Sequence, residues 1–408
     1  MEMLSNNHIN SDLNVNLLNH KVNKFTRAQE LKSLGMYPYF RVIESDQDTE
    51  VIINGKKVLM FGSNSYLGLT NHPEIKKATI EAVNKYGSGC AGSRFLNGTL
   101  DIHIQLEEQL AEFVGKEAAL VFSTGFQVNI GVIPALLSRQ DYLILDELDH
   151  ACILEASRLT FAKTMKYKHS DLASLEKVLK NCEPDRIKLI VSDGIFSMDG
   201  DIANLPGMVE LAKKYNANIM MDDAHSLGVI GRNGRGTADH FGLTNDVDLI
   251  MGTFSKSLAS IGGFIAANKS VIEYLKHHAR SLIFSASISP AATASVLAAL
   301  QIIKREPERI EHLWELTHYT LDRLHQLGFD TGLSCTPIIP IYVRDDIKTF
   351  QLSKMLLDEG IFVNPVTSPA VAKEDTLIRF SLMATHTKEQ IDRAIDKIYS
   401  LSKQLEIL

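Results

Sequence analysis

The chain reads as an α/β protein with a mostly parallel sheet in a large domain and a smaller α+β domain at its C-terminal end. Three observations predict this. Short apolar runs without alternation recur between residues 118 and 251, and helical segments separate many of them. Strands covered by helices on both faces have that composition. The character changes after about residue 300, where long helices alternate with two short strands. Finally, 408 residues suffice for a large core plus a second domain.

The elements follow in order. Residues 1 to about 20 are polar and Asn-rich and read as a flexible tail. They have neither a basic start nor an apolar stretch, so no signal peptide is expected. Residues 22–34 are expected to form one helix stopped by Gly35. The runs 51–53 and 58–61 around Asn54-Gly55 predict a hairpin, since Asn-Gly suits a type I′ turn. Residues 73–86 form the next expected helix, with Pro73 at its start. Leu106, Leu110 and Phe113 mark a helical stripe that Gly115 ends. Strands are expected at 118–122, 142–146, 189–193, 219–222 and 249–251. Beyond residue 300, helices at 307–327, 350–359 and 388–405 flank strands at 337–343 and 377–381. The expected division is 1–60 (tail, helix and hairpin), 61–300 (large domain) and 301–408 (small domain).

Composition narrows the function classes. Hydrophobic residues make up 45% and charged residues 22%, as in a soluble globular protein. The net charge of -7 and the lack of a basic block argue against a nucleic-acid partner. Cys90, Cys152, Cys182 and Cys335 have no metal-ligand spacing, so reduced cytoplasmic thiols and no metal site are expected. No apolar stretch reaches the roughly 18 residues that span a bilayer, so any membrane contact is expected to be peripheral.

The most informative stretch is Gly252-Thr253-Phe254-Ser255-Lys256-Ser257, which follows an apolar run. A lysine between small hydroxyl residues after a buried strand suits a Schiff base with pyridoxal phosphate (PLP). An aspartate must then keep the pyridine nitrogen protonated, so that the ring draws electrons. Lys256 and Asp222 are the candidates; the plain alternative is a strand end with a solvated lysine. Asp223 competes with Asp222, but strand alternation sends the two to opposite sides. Other candidates also follow strand ends, where α/β enzymes keep their sites. Ser123-Thr124-Gly125-Phe126 opens a helix whose free N–H groups attract phosphate, or is simply a hydroxyl cap. His150 can stack on a cofactor ring, and Ser197 and His225 can reach its 3′-oxygen. A satisfied loop histidine and an Asp-Gly turn are the plain readings of His150 and of the Ser197 segment. Arg379, flanked by apolar residues on a strand, would either clamp a carboxylate or sit in an internal ion pair.

Together these stretches resemble the α-oxoamine synthases, a fold-type-I PLP family. The matching runs are Phe61-Gly-Ser-Asn-Ser-Tyr-Leu-Gly-Leu69, Gly87-Ser-Gly-Cys-Ala-Gly-Ser-Arg94, Asp222-Asp-Ala-His225 and Gly252-Thr-Phe-Ser-Lys256. The resemblance implies that Lys256 binds the cofactor and Asp222 pairs with its ring nitrogen. It implies that His150 stacks on the ring while His225 and Ser197 contact the 3′-oxygen. Thr253, Ser255 and the amides of Gly125 and Phe126 would hold the phosphate. In a homodimer with shared sites, Asn64, Tyr66, Ser285 and Ser287 would come from the partner subunit. His150 or Arg379 would hold the substrate carboxylate. Residues 365–369 resemble a proline-bounded mobile loop. The implied reaction joins an amino acid to an acyl-CoA with loss of carbon dioxide. L-serine and palmitoyl-CoA are the expected pair, with cysteate, glycine and alanine as alternative amino acids. A non-catalytic subunit is disfavoured by Lys256, and an aminotransferase by the runs 64–69 and 92–94.

Overall fold

The computed structural model describes residues 16–408. The tail expected over residues 1–15 therefore lies outside the described residues. The chain divides into an N-terminal unit ending at Arg41 and a larger unit, Val42–Leu408. In the first unit, the single helix expected at 22–34 is two helices, Leu17–Asn23 and Arg27–Ser33. The Asn16 side chain caps the first by accepting from the Asn19 amide at 3.1 Å, which starts it inside the expected tail. The Thr26 hydroxyl donates to Glu30 at 2.6 Å, and Thr26 sits at the restart of the second.

The larger unit opens with the expected hairpin of β1 (Glu50–Ile53) and β2 (Lys56–Met60). Asn54 and Gly55 both take positive φ, 50° and 69°, as a type I′ turn requires. A seven-stranded sheet follows. It contains β3 (Ala118–Phe122), β4 (Tyr142–Asp146), β5 (Lys163–Tyr167), β6 (Lys188–Asp193), β7 (Asn218–Asp222), β8 (Leu249–Thr253) and β9 (Gly263–Ala267). Its order is β3-β9-β8-β7-β6-β4-β5. All neighbours are parallel except β9, which runs antiparallel to both β3 and β8.

Side chains alternate between two apolar layers, one on each sheet face. Leu143, Leu145, Val191 and Met220 enter one layer, while Ile144, Ile190, Ile219 and Met221 enter the other. Fully burying each such side chain contributes roughly 1.5–3 kcal/mol, which is why these strands carry no polar face. Two strands escape the sequence pattern. The edge strand β5 is mostly exposed and carries Lys163, Thr164 and Lys166 instead of an apolar run. Buried β9 is short, and three of its five residues are glycine or alanine, with Ile265 its one branched residue.

Two small sheets complete the unit. β10 (Ile338–Tyr342), β12 (Asn364–Val366) and β13 (Leu377–Ser381) form one, ordered β10-β13-β12 and antiparallel. β11 (Ile361–Phe362) joins β2 in parallel to form the other. The loop expected from residue 365 thus begins as a strand, with Pro365 opposite Ile378. Proline is tolerated there because β12 is an edge. Among the described residues no helix is long and apolar enough to cross a membrane.

Parallel pairing brings the C-terminal ends of β4, β6, β7 and β8 to one edge of the sheet. Asp193 and Asp222, the last residues of β6 and β7, sit opposite each other in register. Ligands of open α/β sheets bind beyond such strand ends.

Candidate active site

At this edge lies a cavity of about 350 Å³ whose wall includes His150, Asp193, Asp222, His225, Thr253 and Lys256. Asp222 is buried at 2% exposure. One of its oxygens accepts from the Asn129 amide nitrogen at 2.7 Å, the other from the Ala224 backbone at 3.0 Å. Asp223 points elsewhere and accepts from the hydroxyl (2.6 Å) and backbone amide (3.1 Å) of Thr237. Burial lifts its pKa to about 6. Alternation therefore leaves Asp222 for the cavity and gives Asp223 a structural partner.

Lys256 lies three residues past the end of β8. Burial lowers its pKa to about 8, against the pull of Asp222 and Asp193. His150 caps helix Ala151–Leu159, accepting from the Cys152 amide at 3.2 Å. Its partial desolvation lowers the imidazole pKa. The His225 Nδ1 lies 2.6 Å from the Tyr66 hydroxyl. Burial, then the charges of Lys256 and Arg379, keep His225 well below its ordinary pKa, so the ring is neutral near pH 7.

A second polar centre adjoins His225 through Tyr66. Arg379 on β13 is 4% exposed. Its Nε donates to the Ser197 carbonyl at 2.6 Å, and Nη1 donates to Asn64 Oδ1 at 2.9 Å and Ser381 Oγ at 2.6 Å. Nη2 reaches the Tyr66 hydroxyl at 3.4 Å. Every one of these acceptors is uncharged. Among the described residues no carboxylate pairs with Arg379, so the internal ion pair is not what holds it. A buried guanidinium without a counter-ion is costly, and an incoming carboxylate would relieve that cost.

The origin of Asn64 and Tyr66 differs from the expectation that the partner subunit offers them. They belong to the same chain as Arg379 and His225. The segment carrying them runs beside β13, where Ser381 N donates to Phe61 O at 2.8 Å and Ala384 N donates to Tyr66 O at 2.7 Å. The rings of Phe61 and Phe380 stack at 4.2 Å. Ser285 and Ser287 lie outside this cavity: Ser285 accepts from Gln127 at 3.1 Å, and Ser287 donates to the Gly92 carbonyl at 3.1 Å. Ser197 also does not line the cavity, and joins the site through its carbonyl on Arg379.

Helix Gly125–Leu136 begins at the cavity wall, with Thr124 as its cap. Its first amides, Gly125 and Phe126, share that wall with the Thr253 and Ser255 hydroxyls, which lie 3.1 Å apart. A Cβ on Gly125 would sit 2.6 Å from Thr253 Oγ1, so only glycine lets the helix start approach β8 this closely. The cavity thus offers an anion cradle, a carboxylate and a lysine of lowered pKa. That donor set fits the phosphate, ring nitrogen and aldehyde of PLP.

The model of aminotransferases class I and II matches residues 56–398. The chain belongs to that family. Within it, the likeness to fold-type-I α-oxoamine synthases is borne out by relatives along almost the whole length. Serine palmitoyltransferase of Bacteroides ovatus is 60% identical over 96% of this chain and 100% of its own. An 8-amino-7-oxononanoate synthase of Alkaliphilus metalliredigens is 45% identical over 94% and 97%. A high-resolution structure of SPT with PLP internal aldimine superposes with a TM-score of 0.93 at 34% identity, covering 96% of this chain and 100% of that one.

Three residues in or beside the cavity have no role in the sequence reading above. Asn129 interrupts an otherwise apolar helix interior, which is the signal that could have found it. Cys152 lies 3.0 Å from Asn129 and 2.8 Å from His150, and burial raises its thiol pKa. Asp193 accepts from the His150 amide at 2.7 Å while its own amide donates to Asp149 at 3.1 Å. Burial, then the Asp222 charge, pushes the Asp193 pKa well above the carboxylate range.

Proposed function

We propose that this protein is a PLP-dependent serine palmitoyltransferase. It condenses L-serine with palmitoyl-CoA and releases CoA and carbon dioxide, leaving 3-ketodihydrosphingosine. The observation that carries this reading is the 60% identity to the Bacteroides ovatus enzyme along the whole of that chain. The cavity supplies the matching parts.

Bound PLP supplies an electron sink for negative charge at the amino acid's α-carbon. The Gly125 and Phe126 amides, with Thr253 and Ser255, hold its phosphate. Asp222 holds the proton on the ring nitrogen, steadied by Asn129. His150, on the cavity wall, would cover a ring face. Neutral His225, fixed by Tyr66, would meet the 3′-oxygen; Ser197, expected on the same oxygen, instead serves the site through its carbonyl on Arg379. Lys256 would anchor the cofactor, and its Nζ would take the α-proton of the amino acid. A lysine pKa of about 8 leaves roughly a tenth of the amine neutral at pH 7, enough for a working base. Arg379 clamps the amino-acid carboxylate, with Asn64 and Tyr66 setting the plane of its guanidinium. Ser285 and Ser287 complete the site of a second copy in a homodimer; the neighbouring Phe284 is 78% exposed. The acyl substrate makes bilayer contact peripheral.

The amino acid is not chosen by Lys256, Asp222 or Arg379, because any α-oxoamine synthase needs the same three. The 45% identity to an 8-amino-7-oxononanoate synthase keeps a different amino acid as the second reading. The test is a paired-substrate assay. Holoenzyme receives palmitoyl-CoA with L-serine, glycine, L-alanine or L-cysteate, and free CoA and product mass are followed. Product with L-serine alone supports the proposal; product only with another amino acid transfers the enzyme to the second reading.

A further inference from the structure

Outside the cavity, one histidine bridges two buried carboxylates. His169 follows β5, and its Nδ1 lies 3.0 Å from Asp146 Oδ1 while its Nε2 lies 3.0 Å from Asp201 Oδ2. Asp146 is 1% and Asp201 9% exposed. Both ring nitrogens face acceptors, and only an imidazolium donates from both at once. Burial works against that charge, but the bonds to Asp146 and Asp201 outweigh it and raise the pKa to about 10.

The two carboxylates belong to different parts of the site. Asp146 ends β4 and accepts from the Leu148 amide at 3.0 Å, in the turn that leads to His150. Asp201 closes a tight loop after β6, in which Ile195 pairs with Ile202 and the Phe196 amide donates to the Asp201 carbonyl at 3.1 Å. The Phe196 ring meets the His169 ring edge-on at 4.4 Å. The next residue, Ser197, gives its carbonyl to Arg379 Nε. The far side of the loop is held separately, by Thr336 on the Gly200 carbonyl at 2.8 Å and Tyr342 on Asp199 at 3.2 Å. Those contacts tie it to the small sheet and not to β4.

We propose that His169 is a positioning residue: by bridging Asp146 and Asp201 it holds the Ser197 carbonyl, and through it Arg379, in register with the turn that carries His150. This rests on Arg379 being the carboxylate clamp. Removing the bridge frees the Phe196–Ser197 flank of the loop, and Arg379 loses its Nε acceptor. Lys256 and the phosphate cradle, at the ends of other strands, are untouched. Amino-acid binding weakens while cofactor and acyl-CoA binding do not.

The test uses holoenzyme carrying His169→Phe or His169→Gln, with Arg379→Lys beside them and whichever amino acid the unmodified enzyme turns over. In His169→Phe, the KM for the amino acid rises about tenfold or more while kcat and the KM for acyl-CoA stay within about twofold. Backbone hydrogen exchange over 194–203 quickens in the same variant, with or without cofactor. In His169→Gln, which keeps one donor, both changes are smaller. Should the phenylalanine variant not fold, the glutamine variant decides alone: a KM raised about threefold with faster exchange supports the proposal. An unchanged amino-acid KM, or unchanged exchange in 194–203, overturns it. A raised KM in Arg379→Lys with none in either His169 variant overturns the role of His169 only. An unchanged KM in Arg379→Lys overturns the clamp and the proposal with it.

Discussion

Lys256 and Arg379 are both cations of the site, and it treats them differently. Lys256 faces carboxylates, and burial still pulls its pKa to about 8. Among the described residues Arg379 has only neutral acceptors, which is what its proposed role as a carboxylate clamp rests on. Lys256→Ala removes the only side chain here that can both anchor the cofactor and take the α-proton. Turnover should vanish while the circular dichroism spectrum stays that of the folded protein, and residual activity at the original rate would refute the assignment. Arg379→Lys keeps a charge but not the planar fork. One lost charge-assisted hydrogen bond is worth about 1.5–3 kcal/mol, so the KM for the amino acid should rise roughly 10- to 100-fold. Steady-state kinetics with acyl-CoA saturating reads that number directly. Asp222→Asn keeps the shape and the Ala224 contact but cannot hold a ring proton by charge. Its kcat is expected to fall about 10²–10³-fold with PLP still bound, judged from the absorbance of the bound cofactor beside the rate.

At the scale of elements, the cradle depends on how closely helix Gly125–Leu136 meets β8. Gly125→Ala places a methyl group 2.6 Å from Thr253 Oγ1 and 2.9 Å from its Cβ, contacts that real atoms do not make. The helix start must move back, and its amides with it. Overpacking of this kind costs about 1–3 kcal/mol, so PLP affinity should drop about tenfold or more in a cofactor titration. Wild-type affinity in that variant would show that the helix start does not hold the phosphate. This contact was half legible beforehand. The turn Ser123–Phe126 and the strand ends at Asp193 and Asp222 are local patterns, set by side chains within a few positions of each other. The pairing of Gly125 with Thr253 is not local and left no mark in either segment. The same holds for Asn64 on Arg379, 315 positions apart. Family likeness pointed to Asn64 and Tyr66 and expected them from the partner subunit; the packing of residues 61–66 beside β13, which no local pattern records, sets them against Arg379 of their own chain. Edge strand β5 was missed for the opposite reason: its exposure frees its sequence from the apolar pattern.

Across the larger unit, two buried histidines have their protonation fixed by geometry. His103 and His386 share one arrangement. In each, Nδ1 accepts a backbone N–H, from Leu100 at 3.0 Å and from Met383 at 2.9 Å. In each, Nε2 then donates to a carbonyl, Ile288 O at 3.0 Å and Met60 O at 3.2 Å. His103 ties the start of helix Asp101–Val114 to the segment before helix Pro290–Arg305, and His386 ties the segment after β13 to β2. Protonating either ring would set two N–H groups against each other. Burial already lowers both pKa values to about 4. The unfolded chain therefore binds more protons than the native state between the ordinary histidine pKa, about 6.5, and 4. The stabilisation from each neutral ring is complete above pH 6.5 and is lost as pH falls toward 4. Each site adds up to roughly 1.4 kcal/mol per pH unit to that loss. His386→Gln offers an amide that does not titrate. Its unfolding free energy should start below that of the unmodified protein at pH 7 and then decline less steeply between pH 6.5 and 4. Denaturant unfolding at four or five pH values gives both slopes. Parallel slopes would mean that the folded ring takes up its proton as readily as the unfolded one, and that the burial of the neutral ring does not lower its pKa.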